Sequence, residues 1–264
     1  MRLYVDGVGV LAPGLLNWAE AQLVLRGERR YAATAMPRPS ADLLPPAERR
    51  RCGDIVRLAL HVGLEALRGS GARAEDLATV FASSAGDGEV LNEICRALAE
   101  PAREVSPTRF HNSVHNAPAG YWSIATGARG PSTSVCAYQG SFAAGLLEAA
   151  LQGLADRRAV LLVAYDAPHP EPLASAAPVE GSLGAALVLQ CARSRVSAAA
   201  IEVSLAPAGD DTGLADPGLE RLRRGNSAAR SLALLAALAG GAPARVVLGY
   251  LEELALVVAV TPCA

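Results

Sequence analysis

The sequence predicts an α/β domain whose sheet is buried on both faces. Two apolar runs, AVLLVAY at 159–165 and AALVLQ at 185–190, show no apolar–polar alternation, so neither face of those strands meets water. Helical patterns stand between the strands rather than in a separate block, which is the order of a layered α/β fold. Half of the residues are apolar but only 4% are aromatic, so the core is built from closely packed small aliphatic side chains.

The elements follow in order. LYVDGVGVLAP, from Leu3, reads as a first strand ending in a proline turn. Residues 34–48 (TAMPRPSADLLPPAE) carry four prolines and are irregular. From Gly53 to Arg68, Ile55, Val56, Ala59, Leu60, Val62 and Leu67 leave one polar stripe of Arg57, His61, Glu65 and Arg68. This is a surface helix, stopped at Gly69–Gly71. ATVFAS (78–83) is a strand, SAGDGE a turn and Val90–Leu98 a helix. Pro101 and Pro107 break the chain before a helix at Asn116–Thr126 that tolerates Pro118 in its first turn. TSVCAY (133–138) is β-prone and leads through a small-residue turn into a long apolar helix, Ser141–Leu154. AIEVSLAP (200–207) is a strand, Gly218–Leu238 a single helix, and RVVLGYLEELALVVAV a closing pair of strands. Residues 192–199 form the seam between a larger part, 1–191, and a smaller one, 192–264.

Composition narrows the function. A net charge of −2 gives no electrostatic reason to bind nucleic acid or an anionic membrane. No run reaches the ~18 apolar residues of a membrane span, and no signal-like segment opens the chain, so a cytoplasmic protein is expected. The five cysteines, at 52, 95, 136, 191 and 263, include no CxxC pair and are expected as reduced thiols without zinc. SSAGDGE lacks the lysine and the glycine spacing of a phosphate loop and is a tight turn at a strand end. His111 and His115 stand four apart, but no carboxylate or cysteine completes a metal set beside them. His61 is expected in solvent and His169 in the exposed loop PHPEP. No cofactor is expected.

GPSTSVCAYQGS (130–141) has the strand–turn–helix geometry in which enzymes present a nucleophile at a helix N-terminus. Cys136 is the chemically obvious candidate, yet it falls three residues short of the turn at Gln139-Gly140, on the strand, where a buried small hydrophobe is expected. Gln139 is neutral and cannot attack a thioester, although its amide can donate to a carbonyl oxygen.

With these pieces in place the chain resembles the β-ketoacyl synthases of the thiolase superfamily. RRRCGDIVRLALHVGLEAL, VFASSAGDGEV, NAPAGYWSIATGARGPS, the elbow and its helix, LADRRAVLLVAYDAP and EGSLGAALVLQ succeed one another in that family's order over roughly residues 46–190. The resemblance implies a thiolase-like layered fold with a near-complete N-terminal half and a reduced C-terminal half. Counted from Gly130, the family's nucleophile position falls on Gln139. A glutamine there is similar to chain-length-factor subunits, and the short second half to those of aryl polyene and related pigment clusters. Ketosynthases also use two histidines from the second half, and this chain has none after His169. The family's Gly-Phe-Gly turn is not recognisable in VVLGYLEE.

The resemblance therefore implies a catalytically silent subunit, an acyltransferase only as part of a complex. It pairs with an active β-ketoacyl synthase through Thr133, Ser134, Val135, Cys136, Ala137 and Tyr138. Leu91, Ile94 and Cys95, on one helix face, limit the acyl channel, and an acyl carrier protein is a further partner. The alternatives are a malonyl-carrier-protein decarboxylase using Gln139 and a true acyltransferase using Cys136.

Overall fold

The computed structural model describes residues 1–263. In chain order they form β1 (Arg2–Leu11), α1 (Trp18–Leu25), α2 (Pro46–Arg51), α3 (Asp54–Ser70), β2 (Ala78–Ala82), α4 (Gly88–Ala99), α5 (Pro107–Asn112), α6 (Ala117–Thr126), β3 (Ser132–Val135), α7 (Ser141–Asp156), β4 (Val160–Asp166), α8 (Leu173–Ala176), β5 (Leu183–Gln190), β6 (Ala199–Pro207), α9 (Pro217–Gly225), α10 (Leu232–Gly240), β7 (Ala244–Leu251) and β8 (Leu254–Pro262). All the strands join one eight-stranded sheet in the order β3-β2-β4-β5-β1-β6-β8-β7. β3, β2 and β4 run parallel, and every other pairing is antiparallel.

The runs without alternation divide between two cores. Val160, Leu162 and Ala164 of β4 pack into one core, whereas Leu161, Val163 and Tyr165 pack into the other. The first core is closed by α7, α10 and α1, the second by α3 and α6. α3 lies so close to β1 that a Cβ on Gly9 would overlap the Val62 carbonyl oxygen, which explains the glycines in YVDGVGV. In β6, by contrast, Ile201 and Val203 are buried while Glu202 and Ser204 are exposed, so helices cover only one face of that strand. The second half is the thinner one, as its sequence implies.

Three expectations change. The helix expected over 218–238 is two helices, broken at Asn226, whose backbone is extended (φ −143°). Its side-chain amide donates to the Gly181 carbonyl at 2.9 Å, and its Oδ1 accepts from Ala229 N–H at 3.0 Å, bonds a continuous helix would forbid. The stripe on α3 is not simply solvated. Glu65 accepts the backbone N–H groups of Val10 (2.9 Å) and Trp18 (2.6 Å), and burial pushes its pKa up. His61 is half-buried, lines a small cavity with Ser40–Leu43, and has its pKa lowered by desolvation. The segment 107–112, left between elements by its proline, is a short helix because Pro107 occupies its first turn.

The two halves are joined at one buried carboxylate. Asp166, 2% exposed at the end of β4, accepts from Ser83 Oγ (2.8 Å), Ser84 N (2.9 Å), Ser84 Oγ (2.9 Å) and Ala228 N (3.2 Å). Burial raises its pKa while these four donors oppose the rise. Asp166→Ala strands the donors in a dry site and is expected to cost about 3 kcal/mol, measured by denaturant unfolding. Asp166→Asn, which keeps an acceptor, is expected to cost less.

Candidate functional site

The elbow begins where β3 ends. β3 stops at Val135, shorter than the run 133–138, because Ala137 (φ −143°, ψ 42°) and Tyr138 (φ 48°) turn the chain out of the ladder. Tyr138–Gly140 form a single 3-10 turn that runs straight into α7. Ser141 staples this turn: its hydroxyl accepts from Ala137 N–H at 3.0 Å and donates to the Tyr138 carbonyl at 2.7 Å. Gly140 N–H donates to the Ala137 carbonyl at 2.8 Å.

Gln139 stands in the turn at the positive end of α7, half-buried, with its Oε1 buried and without a hydrogen-bond partner. A carboxamide at this position has no thiolate to form an acyl-enzyme. Cys136 departs from the expectation of a buried residue. It is exposed, just past the end of β3, and its thiol donates to the Ser84 carbonyl at 3.0 Å. Bending at 136–137, unforeseen from a β-prone run, carries it out of the strand's packing.

The second half closes on the elbow through the β7–β8 turn. A Cβ on Gly140 would overlap the carbonyl oxygen of Tyr250, so only glycine lets this turn approach. The pairing of β7 with β8 shifts register between Gly249 and Leu251, and this bulge is the part of VVLGYLEE that abuts the elbow. A cavity of about 270 Å³ remains between the two, lined by Tyr138, Gln139, Arg230, Tyr250 and Glu252. Arg230 is held by an ion pair to Asp211, which also accepts from Arg223 at 3.4 Å; Arg223 in turn binds Glu220 through Nε (2.7 Å) and Nη2 (2.8 Å). The Arg223 and Arg224 guanidiniums hold the Glu220 carboxyl far below the usual carboxylate range. The second half thus supplies the elbow with arginine and backbone, and no imidazole.

The four histidines lie apart from Gln139 in the chain and take other roles. His115 Nε2 lies 3.1 Å from the Ser83 carbonyl, and the His111 ring meets Tyr121 edge-on at 6.4 Å between centroids. His169 packs on Gly88 at the start of α4, half-buried rather than fully exposed in its loop. Ser141, Asp166, Asn226 and Arg230, which shape the site, carried no recognisable pattern in the sequence. Only the aspartate closing the apolar run LLVAYD hinted at one of them.

α4 separates two environments. On one side lies a cavity of about 820 Å³ whose walls include Arg38, Asp54, Asp87, Glu89, Glu93 and Arg109. Its charges are partly paired, Arg38 with Asp54 at 2.7 Å and Arg109 with Glu93 at 2.6 Å. On the other side Leu91 (44% exposed), Ile94, Cys95 and Leu98 share a face at helical spacing, and none of the four is buried. Phe110, Val114 and Ile124, on or beside α5 and α6, are exposed as well. Leu91, Ile94 and Cys95 are therefore not core residues of this chain.

A layered α/β fold with a nucleophile elbow at the end of a parallel strand defines a ketosynthase-like class. Residues 17–244 match the family model "Beta-ketoacyl synthase, N-terminal domain", and the chain belongs to that family. Solved structures agree on the fold. A chain of the ketosynthase (ApeO) in complex with its chain length factor (ApeC) from Xenorhabdus doucetiae superposes with a TM-score of 0.75 at 24% identity, covering 98% of this chain and 99% of that one. A chain of the ishigamide ketosynthase/chain length factor gives 0.78 at 16% identity, with both chains fully covered. A chain of the complex AntDE:AntF, a type II polyketide synthase acyl-carrier protein with its ketosynthase bound to the hexaketide, gives 0.75 at 13% identity and 99% coverage of each. A comparison with curated proteins returns no match.

The thiols give a direct check on this geometry. Cys95 and Cys136 are expected to react rapidly with a thiol reagent in the native protein, and Cys52, buried and with its pKa pushed up by desolvation, only on unfolding. Peptide mapping of a timed alkylation reads the order.

Proposed function

We propose that this chain is a catalytically silent, chain-length-factor-type subunit that pairs with an active β-ketoacyl synthase in the cytoplasm and shapes its acyl channel. The pathway class is fatty-acid- or polyketide-type synthesis of the aryl polyene kind, with acyl groups delivered on an acyl carrier protein. What carries the reading is the amide of Gln139 in the turn where the resemblance puts the family's nucleophile, after an edge strand that pairs on one side only among the described residues.

The two edges of the sheet support it. At the far edge, Thr212 caps Val247 in the middle of β7: its N–H donates to the Val247 carbonyl and its Oγ1 accepts from Val247 N–H, both at 2.9 Å. An edge blocked in this way is protected against further pairing. β3, at the other edge, pairs only with β2 among the described residues. Thr79 N–H donates to the Pro131 carbonyl and Ser83 N–H to the Val135 carbonyl, so Thr133 and Val135 face β2. Ser132 and Ser134 consequently turn their backbone N–H and C=O groups outward. A partner with the same fold, related by a pseudo-two-fold axis, adds its own edge strand there and makes one sheet across both chains.

The acyl channel fits the outer face of α4. Leu91, Ile94 and Cys95 offer an apolar wall to the partner, while the charged cavity on the inner side is unsuited to an alkyl chain. Cys136 lies before the turn, three residues ahead of Gln139 and outside the first turn of α7.

Ser134→Pro removes an outward N–H from an edge strand that tolerates proline, and is expected to leave a folded chain that no longer co-purifies with its ketosynthase. In the intact complex, Leu91→Trp is expected to shorten the carrier-bound products seen by mass spectrometry, with Leu91→Ala lengthening them. Malonyl-carrier turnover by the isolated chain that disappears in Gln139→Ala would identify a decarboxylase instead. Loss of complex activity on selective alkylation of Cys136, with association intact, would identify an acyltransferase.

A further inference from the structure

Tyr138 breaks two local rules at once. Its φ of 48° lies in the left-handed region that favours glycine, and the residue is 70% exposed. A large aromatic residue in strained backbone, without burial to offset the strain, persists when its surroundings fix it. They do so here: Ser141 Oγ binds the carbonyl of Tyr138 and the N–H of Ala137, and Gly140 is wedged under the Tyr250 carbonyl. The ring is thus presented from a rigid turn, three residues beyond the last residue of the bare edge strand.

From this geometry we infer that Tyr138 is the preorganised anchor of the chain's association with its ketosynthase, inserting into the surface just before the partner's own edge strand. The inference rests on the pairing proposed above and assigns that pairing its energetic centre. Two like folds joined edge to edge about a two-fold run their edge strands antiparallel. The C-terminal flank of one strand then meets the N-terminal flank of the other. A β3 of four residues is short, so a side chain three residues past its end falls on that flank. Tyrosine suits the role, since it buries a large area at the cost of two rotatable bonds and dominates many interfaces. Holding it rigidly in the free chain reduces the entropy lost on binding. The fitting partner surface is an apolar recess the size of one ring, formed by small residues.

Tyr138→Gly separates the two roles of this residue. Glycine accepts φ 48° without strain, so the isolated variant is expected to unfold at the same temperature as the parent or a higher one. Its affinity for a purified ketosynthase that co-purifies with the parent chain is expected to fall at least tenfold, with Tyr138→Phe close to the parent. Benzoylphenylalanine at position 138 is expected to cross-link to the partner segment immediately N-terminal to its edge strand. A Tyr138→Gly variant that binds as the parent does, or cross-links that map elsewhere, overturns the inference while leaving the pairing intact. A parent chain that forms no complex with the ketosynthase overturns the pairing itself. A Tyr138-dependent homodimer indifferent to ketosynthase overturns the assignment of the partner.

Discussion

The structure depends on the carboxylate of Asp166. It gathers the end of β2, the turn into α4 and the first residues after Asn226 onto the end of β4. What hangs from those groups is the site. The Ser84 carbonyl receives the Cys136 thiol, the Ser83 carbonyl meets His115 ahead of α6, and the Asn226 amide reaches the Gly181 carbonyl. A single desolvated anion with four donors tolerates little displacement, because each lost donor leaves a buried polar group unpaired. The elbow, the start of α4 and the C-terminal half are therefore fixed relative to one another before any partner arrives.

The strands were legible in the sequence wherever burial on both faces erased alternation. β4 and β5 sit where AVLLVAY and AALVLQ predict them, since no other environment accommodates such runs. The family and the layered fold followed from the order of these segments. Local chain reversals were less legible. Nothing in TSVCAY announces that Ala137 and Tyr138 leave the ladder, because their dihedrals are imposed by Ser141 and by the β7–β8 turn more than a hundred residues away. The break at Asn226 has the same origin: its reasons lie at Gly181 and Ala229. Leu91, Ile94 and Cys95 share a face of α4 that is not buried, and spacing alone does not say which side of a helix faces the core.

The sheet treats its two edges differently, and the difference is chemical. Thr212 satisfies the outward groups of Val247 with one backbone and one side-chain bond, at the thin end of the fold where β6 also turns polar residues to solvent. At the β3 end α6 and α7 flank the strand, and Ile124 on α6 and Leu151 and Leu154 on α7 are exposed. Outward backbone groups framed by apolar side chains are costly in isolation and complementary to a like strand framed in the same way.

The architecture of the elbow is set by its neighbours and not by the side chain at position 139. The turn at Tyr138–Gly140 is the mechanical junction between the edge strand and α7, and Gly140 is where the second half rests on it. Neither contact involves the side chain of residue 139. Altering Ser141 or Gly140 would disturb the strand that is free to pair. The same contacts that hold the turn hold the strained Tyr138 beside it, so its exposed side chain is presented from a fixed frame.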